Sequence, residues 1–232
     1  MQYLNRNKNY EKVEPSKDAK KIYIFCEGSV KEVKYFNYFS KLSSNIDIIP
    51  IPSIDGKTDP IKLMERAELV FSEHGSLDGL KYILSEEYLD EVWFVIDTDN
   101  WNEGGKIQKL KDFCECKNQK YIGWFVNQSN PSFETWLYYH FQKFIPQTIE
   151  VSAFRSFKEF VNSKIPGGFN PDTMPIRLVE AIENSKANYS NDVSGQPELY
   201  STEVFILGEI ILQFVEEQLN KIKLIVSSGS IQ

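Results

Sequence analysis

The chain has 232 residues, of which 41% are apolar, 25% are charged and 14% are aromatic, and its formal net charge is -7. This length suffices for one sizeable core, and the composition is ordinary for a soluble globular protein. The negative charge argues against binding nucleic acid through a broad basic surface. It leaves room for a phosphate site bridged by a metal ion, because a bound cation dominates the local field.

Three cysteines, Cys26, Cys114 and Cys116, are too few for a disulfide framework or a complete zinc site. The first residues contain no apolar segment typical of a signal peptide. The late apolar run over 204–215 is interrupted by Glu209 and is too short to cross a bilayer. We therefore expect a cytoplasmic, soluble protein with reduced thiols and no membrane partner.

Residues 1–20 carry mixed charges with little apolar periodicity, which predicts a flexible N-terminal tail. The apolar run that begins at Lys21 predicts a buried strand, ending in Glu27 and the turn residue Gly28. Helical spacing follows from about Val30.

The next elements alternate between strand and helix. They are a strand over 46–51, a helix from the N-cap Asp59 and Pro60 to about His74, a short helix over 77–84, a strand over 91–97, a helix over 102–116 and a strand over 121–126. This order predicts an α/β core over 21–145, with a mostly parallel sheet of about four strands and helices on both faces. Helices predicted over 152–161, 175–188 and 202–222 form a helical extension over 146–232.

The third predicted strand ends in two carboxylates, Asp97 and Asp99. Side chains alternate along a strand, so both point to the same side. Neighbouring carboxylates repel unless a cation neutralises them, and Mg²⁺ or Mn²⁺ prefers such oxygen ligands. The plainer alternatives are a solvated strand end, or an Asp99 that only caps the next helix.

Glu27 ends another strand of the predicted sheet. Ligands of open α/β sheets bind beyond the carboxyl ends of the strands, which is where Glu27, Asp97 and Asp99 all lie. The sequence therefore predicts one shared acidic site at this edge.

The segment after the fourth predicted strand reads Ser129-Asn130-Pro131-Ser132-Phe133-Glu134. Asn130 as N-cap and Pro131 as first helical residue predict a helix that begins where this strand ends. Glu134 then lies in the first turn, at the edge of the acidic site, either as a complement to the helix dipole or as a metal ligand. His140, almost two turns deeper, is predicted to be a packed side chain rather than a ligand.

The Glu-Gly and Asp-x-Asp pattern is similar to that of Toprim proteins, and a closer resemblance is to the RloB-like family. It rests on Ile24-Phe25-Cys26-Glu27-Gly28 with Glu32 and Tyr35-Phe36, on Val95-Ile96-Asp97-Thr98-Asp99, and on Ser129-Asn130-Pro131-Ser132-Phe133-Glu134-Thr135-Trp136 with His140-Phe141. The resemblance is close over about 22–142 and looser through the helical part. The family more often has threonine just before the glutamate that matches Glu32, where this chain has Lys31.

The resemblance implies a Toprim-like fold and a bacterial role in phage defence by abortive infection, beside a partner ATPase of AAA or ABC type. It implies a nuclease that depends on Mg²⁺ or Mn²⁺ and acts on DNA or RNA, and it is compatible with an oligomer. The implied catalytic and metal-binding residues are Glu27, Asp97 and Asp99, with Glu134 as a further metal ligand. The candidates for substrate contacts are Gly28, Glu32, Lys57, Ser129 and Asn130.

Two other functions fit the same residues. A non-catalytic, metal-stabilised module that binds or regulates an ATPase is favoured by the acidic charge, whereas the complete acidic triad favours an enzyme. Nucleotidyl transfer of the primase kind would use the same carboxylates.

Overall fold

A four-stranded parallel sheet, in the order β2-β1-β3-β4, forms the centre of the molecule. The computed structural model describes residues 12–53, 59–72, 75–76, 79, 81–98, 104–118 and 123–228. The strands are β1 (Lys20–Cys26), β2 (Ile46–Ile51), β3 (Glu91–Asp97) and β4 (Trp124–Ser129). The described helices are α1 (Lys31–Asn37), α2 (Pro60–Val70), α3 (Lys106–Asn118), α4 (Glu134–Tyr139), α5 (Thr148–Val151), α6 (Phe157–Lys164), α7 (Leu178–Ala187) and α8 (Val204–Ser228), with a 3₁₀ turn at Met174–Arg177. The predicted α/β class, with a four-stranded parallel sheet flanked by helices, is confirmed.

The central strands β1 and β3 are buried on both faces, as their continuous apolar runs predict. On one face the core is shared with α1, α4, α7 and α8, and it contains Phe36, Trp93 and Trp136. On the other face α2 and α3 cover a second core, in which the rings of Phe25 and Phe94 stack with centroids 5.4 Å apart. Helices therefore cover both faces of the sheet.

Helices α7 and α8 pack on the same side of the sheet as α1 and α4, whereas α6 packs on α4 in a separate apolar cluster that includes Tyr138 and Phe160. The long helix α8 contributes the buried residues Leu207, Ile211, Val215, Leu219 and Ile222 to the first core. Within the predicted N-terminal tail, the part from residue 12 onward contacts the loop before β2. There the Val13 amide donates to the Lys41 carbonyl at 2.9 Å and the Ser16 amide to the Ser44 carbonyl at 2.8 Å.

The prediction of a short helix over 77–84 is wrong for the described residues 81–84, which are not helical. Tyr82 and Leu84 pack against the second core, whereas Ile83 between them is 61% exposed. This two-residue alternation is typical of extended chain. The Tyr23 hydroxyl donates to the Ile83 carbonyl at 3.1 Å, which fixes the segment beside β1.

The fourth strand lies three residues later than predicted, at Trp124–Ser129 instead of 121–126. Its last three residues, Asn127, Gln128 and Ser129, are polar yet buried, which hid the strand in the sequence. The Gln128 amide donates to the Glu203 carboxylate at 2.9 Å, so the segment before α8 supplies one of the polar partners.

The predicted cap at Asn130 is also wrong, because α4 begins at Glu134 with Phe133 as its N-cap residue. The Asn130 amide donates to the Ser201 carbonyl at 2.9 Å, and its side-chain Nδ2 donates to the Pro197 carbonyl at 2.9 Å. Through these two hydrogen bonds, Asn130 joins the end of β4 to the segment before α8.

Cys26 and Cys114 are buried and Cys116 is exposed, and all three are free thiols. Among the helices of the described residues, none has the length and apolarity needed to span a bilayer.

Candidate acidic site

Glu27 and Asp97 meet at the carboxyl edge of the two central strands. The Glu27 amide donates to the Val95 carbonyl at 3.0 Å, which extends the pairing of β1 with β3 by one residue. The Glu27 side chain then turns towards β3, where its Oε2 accepts from the Asp97 amide at 2.8 Å. Glu27 and Asp97 therefore lie at the same edge of the sheet, and a shared acidic site there stays a prediction.

The Asp97 side chain connects β3 to the start of α4. Its Oδ1 accepts a hydrogen bond of 2.8 Å from the Phe133 amide. Phe133 directly precedes α4. The Asp97 carboxylate, at the end of β3, therefore accepts from the start of this helix, a role that the sequence assigned to the side chain of Asn130. This bond orients the Asp97 carboxylate at the edge of the sheet.

Two of the predicted site residues, Asp99 and Lys57, lie outside the described residues. Within the described ranges, no group of three or more His, Cys, Asp or Glu side chains is arranged to hold a metal ion. The carboxylates of Glu27 and Asp97 are nevertheless the hard oxygen donors that Mg²⁺ and Mn²⁺ prefer. A metal site completed by Asp99 stays a prediction.

Glu32 lies against the turn that follows Glu27. It is only 8% exposed, and its carboxylate packs so closely on Gly28 that a Cβ built there would stand 1.9 Å from Oε2. Burial raises the pKa of Glu32, and the nearby carboxylate of Glu134 adds to this effect. A side chain at position 28 would therefore displace the Glu32 carboxyl group from its present place.

Replacing Gly28 with alanine should force the Glu32 carboxylate out of its present place. We expect Gly28→Ala to destabilise the wild-type chain and to be better tolerated in a Glu32→Ala background. A double-mutant cycle by urea unfolding should give a coupling of about 0.5–3 kcal/mol, the range for residues in contact. Strictly additive effects of the two changes would contradict the proposed packing.

Glu134 is held by two neighbours. Its Oε1 lies 2.5 Å from Lys31 Nζ, and its Oε2 accepts from the Ser132 hydroxyl at 2.8 Å. Burial acts to raise the pKa of Glu134, but the ion pair with Lys31 and the hydrogen bond from Ser132 outweigh it, and the pKa is lowered. The carboxylate is therefore ionised near neutral pH, at the same edge as Glu27 and Asp97.

A scan against protein-family models matches the description "RloB-like protein" to residues 22–211. The chain belongs to the RloB-like family. The match covers the strands that carry Glu27 and Asp97 and continues through α7 into α8. Searches of curated proteins and of solved structures found no match.

Lys31 is the site residue that sequence reasoning missed in this RloB-like chain. It stands where the resemblance to the family predicts threonine, and this departure was the available signal. Its partner Glu134 is 103 residues away, so the ion pair becomes visible only when α1 and α4 are packed together.

Ser129 and Asn130, predicted to contact substrate, have structural contacts in the RloB-like fold. The Ser129 hydroxyl is buried and lies 2.7 Å from the Thr202 hydroxyl. The Ser129 carbonyl accepts from the Thr98 amide at 2.8 Å and from the Thr98 hydroxyl at 3.0 Å. These bonds join β4 to the residue after Asp97 and to the segment before α8, and a substrate role for Ser129 and Asn130 stays a prediction.

Proposed function

We propose that this RloB-like protein is a metal-dependent nuclease of Toprim type, acting at the edge that carries Glu27 and Asp97. The observation that supports it best is the hydrogen bond between the Glu27 carboxylate and the Asp97 amide, which brings two acidic residues from separate parallel strands together. Carboxylates at this edge are suited to bind a metal ion that in turn contacts a phosphate.

In this proposal Glu27, Asp97 and Asp99 hold Mg²⁺ or Mn²⁺. Such an ion, when bound, polarises a phosphate group and makes water a stronger nucleophile near neutral pH. The chain's own residues set the geometry: the Asp97 amide orients Glu27, and the Phe133 amide orients Asp97. Both donors are backbone groups of the rigid core, so the carboxylates need little rearrangement for the reaction.

The biological setting is part of the same proposal. Membership of the RloB-like family supports a role in bacterial phage defence by abortive infection, together with an ATPase of AAA or ABC type. The substrate is nucleic acid, either DNA or RNA.

A cleavage assay tests the catalytic proposal. Wild-type protein should cut labelled single- and double-stranded DNA or RNA in Mn²⁺ or Mg²⁺ and should stop when EDTA is added. Glu27→Gln should reduce the rate by about 10²-fold or more, the scale expected for loss of an acid–base group or a metal ligand.

The matched control is Glu115→Gln, which removes an exposed carboxylate from α3. It should cut at the wild-type rate. Equal activity in Glu27→Gln and Glu115→Gln would assign the cleavage to a contaminant or to another site.

A metal-stabilised binding module is the second candidate. The net charge of -7 favours it, because a negatively charged protein attracts nucleic acid less strongly. A wild-type protein that is stabilised by Mn²⁺ but cleaves none of these substrates would support this candidate over the nuclease.

A further inference from the structure

We infer that Lys31 is the residue of this site that contacts a substrate phosphate, and that Glu134 positions it. The inference rests on the proposed function and names the cation that complements the metal-binding carboxylates. It also gives Glu134 a role other than metal ligation.

The ion pair connects the two chain segments that carry the acidic residues. Lys31 begins α1, three residues after Gly28 in the turn that follows Glu27. Glu134 begins α4, directly after Phe133, whose amide binds Asp97. The ammonium group of Lys31 is therefore held close to both segments.

The two partners differ in exposure in a way that suits this division of roles. The side chain of Glu134 is 13% exposed, whereas that of Lys31 is 31% exposed. Both oxygens of Glu134 already accept hydrogen bonds, one from Lys31 and one from Ser132. The carboxylate is thus the fixed partner, and the ammonium is the one that solvent or a ligand reaches.

An ammonium group can bind a phosphate without releasing its carboxylate. It has three N–H donors and no acceptor, and its pair with Glu134 uses one of them. A phosphodiester that approaches an edge rich in carboxylates meets repulsion, which a cation in addition to the metal would offset. Lysine commonly binds phosphate as such a point charge.

The test measures how tightly the protein binds a labelled single-stranded oligonucleotide, once as DNA and once as RNA. Affinity is measured by fluorescence anisotropy in the presence of Ca²⁺, at several salt concentrations. Lys31→Thr should weaken binding about tenfold or more. It should also lower the slope of log affinity against log salt by about 0.7, the value for one phosphate contact on a single strand. Lys31→Arg should retain most of the affinity and the slope.

Lys34→Thr is the matched control, since it removes an exposed lysine one turn further along α1. It should leave the affinity and the salt slope unchanged. Glu134→Gln should weaken oligonucleotide binding while it keeps the rise in melting temperature that Mn²⁺ gives the wild type. Loss of that rise would make Glu134 a metal ligand and overturn its positioning role.

The outcomes separate this inference from the nuclease proposal. If the wild type binds and cleaves but Lys31→Thr matches it in affinity and slope, the assignment of Lys31 is wrong and the nuclease stands. If Lys31→Thr binds more weakly but the wild type never cleaves, Lys31 is a phosphate-contacting residue of a binding module. A wild type that binds no oligonucleotide overturns the assignment.

Discussion

Mn²⁺ should raise the melting temperature of the wild-type protein, and Asp97→Asn should remove most of that rise. A ligand that binds only the folded state stabilises it by about 2.7 kcal/mol at a concentration 100 times its Kd. For a chain of this size that corresponds to about 5–10 °C. Asparagine keeps the shape of the side chain but removes the charge that holds the cation.

Without metal, Asp97→Asn should be no less stable than the wild type. The amide oxygen can still accept from the Phe133 amide, and the change removes a negative charge beside Glu27. Asp112→Asn is the control, because it neutralises an exposed aspartate on α3 and should keep the full metal response. A wild-type melting curve that does not move up to millimolar Mn²⁺ would remove the basis for the metal site.

The central sheet was predictable because its signals are local. The apolar runs of β1 and β3 are continuous, and each is followed or ended by a carboxylate, Glu27 and Asp97. Parallel pairing then places both carboxylates at one edge whatever the details of the connecting segments. The common edge of Glu27 and Asp97 followed from the parallel strands without knowledge of any side-chain contact.

The errors arose where distant partners decide the local structure. Gln128 and Ser129 continue β4 with partners more than 70 residues later: Glu203 accepts from the Gln128 amide, and the Thr202 hydroxyl binds that of Ser129. Asn130 has the sequence of a helix cap, but its hydrogen bonds go to the segment before α8. Local propensity cannot register such contacts, since the competing partner lies elsewhere in the chain.

His140 was correctly predicted to be packed, and its hydrogen bonds define its protonation. It is fully buried. Its Nδ1 lies 3.0 Å from the Trp136 carbonyl, which can only accept, so Nδ1 carries the proton. In the neutral ring Nε2 then accepts from the Tyr35 hydroxyl, at 3.1 Å. Burial lowers the pKa of His140 to about 3, and the nearby charge of Arg177 acts in the same direction.

This buried neutral histidine should make the fold sensitive to acid. The unfolded chain protonates His140 below a pKa of 6.5, whereas the folded chain resists protonation down to about 3, so the unfolded state binds more protons between these values. The stability that the neutral ring contributes is complete above pH 6.5 and falls as the pH drops towards 3. At pH 5 the loss should be about 2 kcal/mol.

Urea unfolding at pH 7 and pH 5 measures this loss. His140→Gln cannot titrate, so its stability should change between the two pH values by about 2 kcal/mol less than that of the wild type. Tyr35→Phe serves as the control: it leaves Nε2 without its donor and should cost about 1–3 kcal/mol at pH 7. Because it retains the buried imidazole, most of the acid sensitivity should remain. Parallel pH dependences of the wild type and His140→Gln would show that His140 has no part in the acid response, because removal of its titration is the one change expected to flatten it.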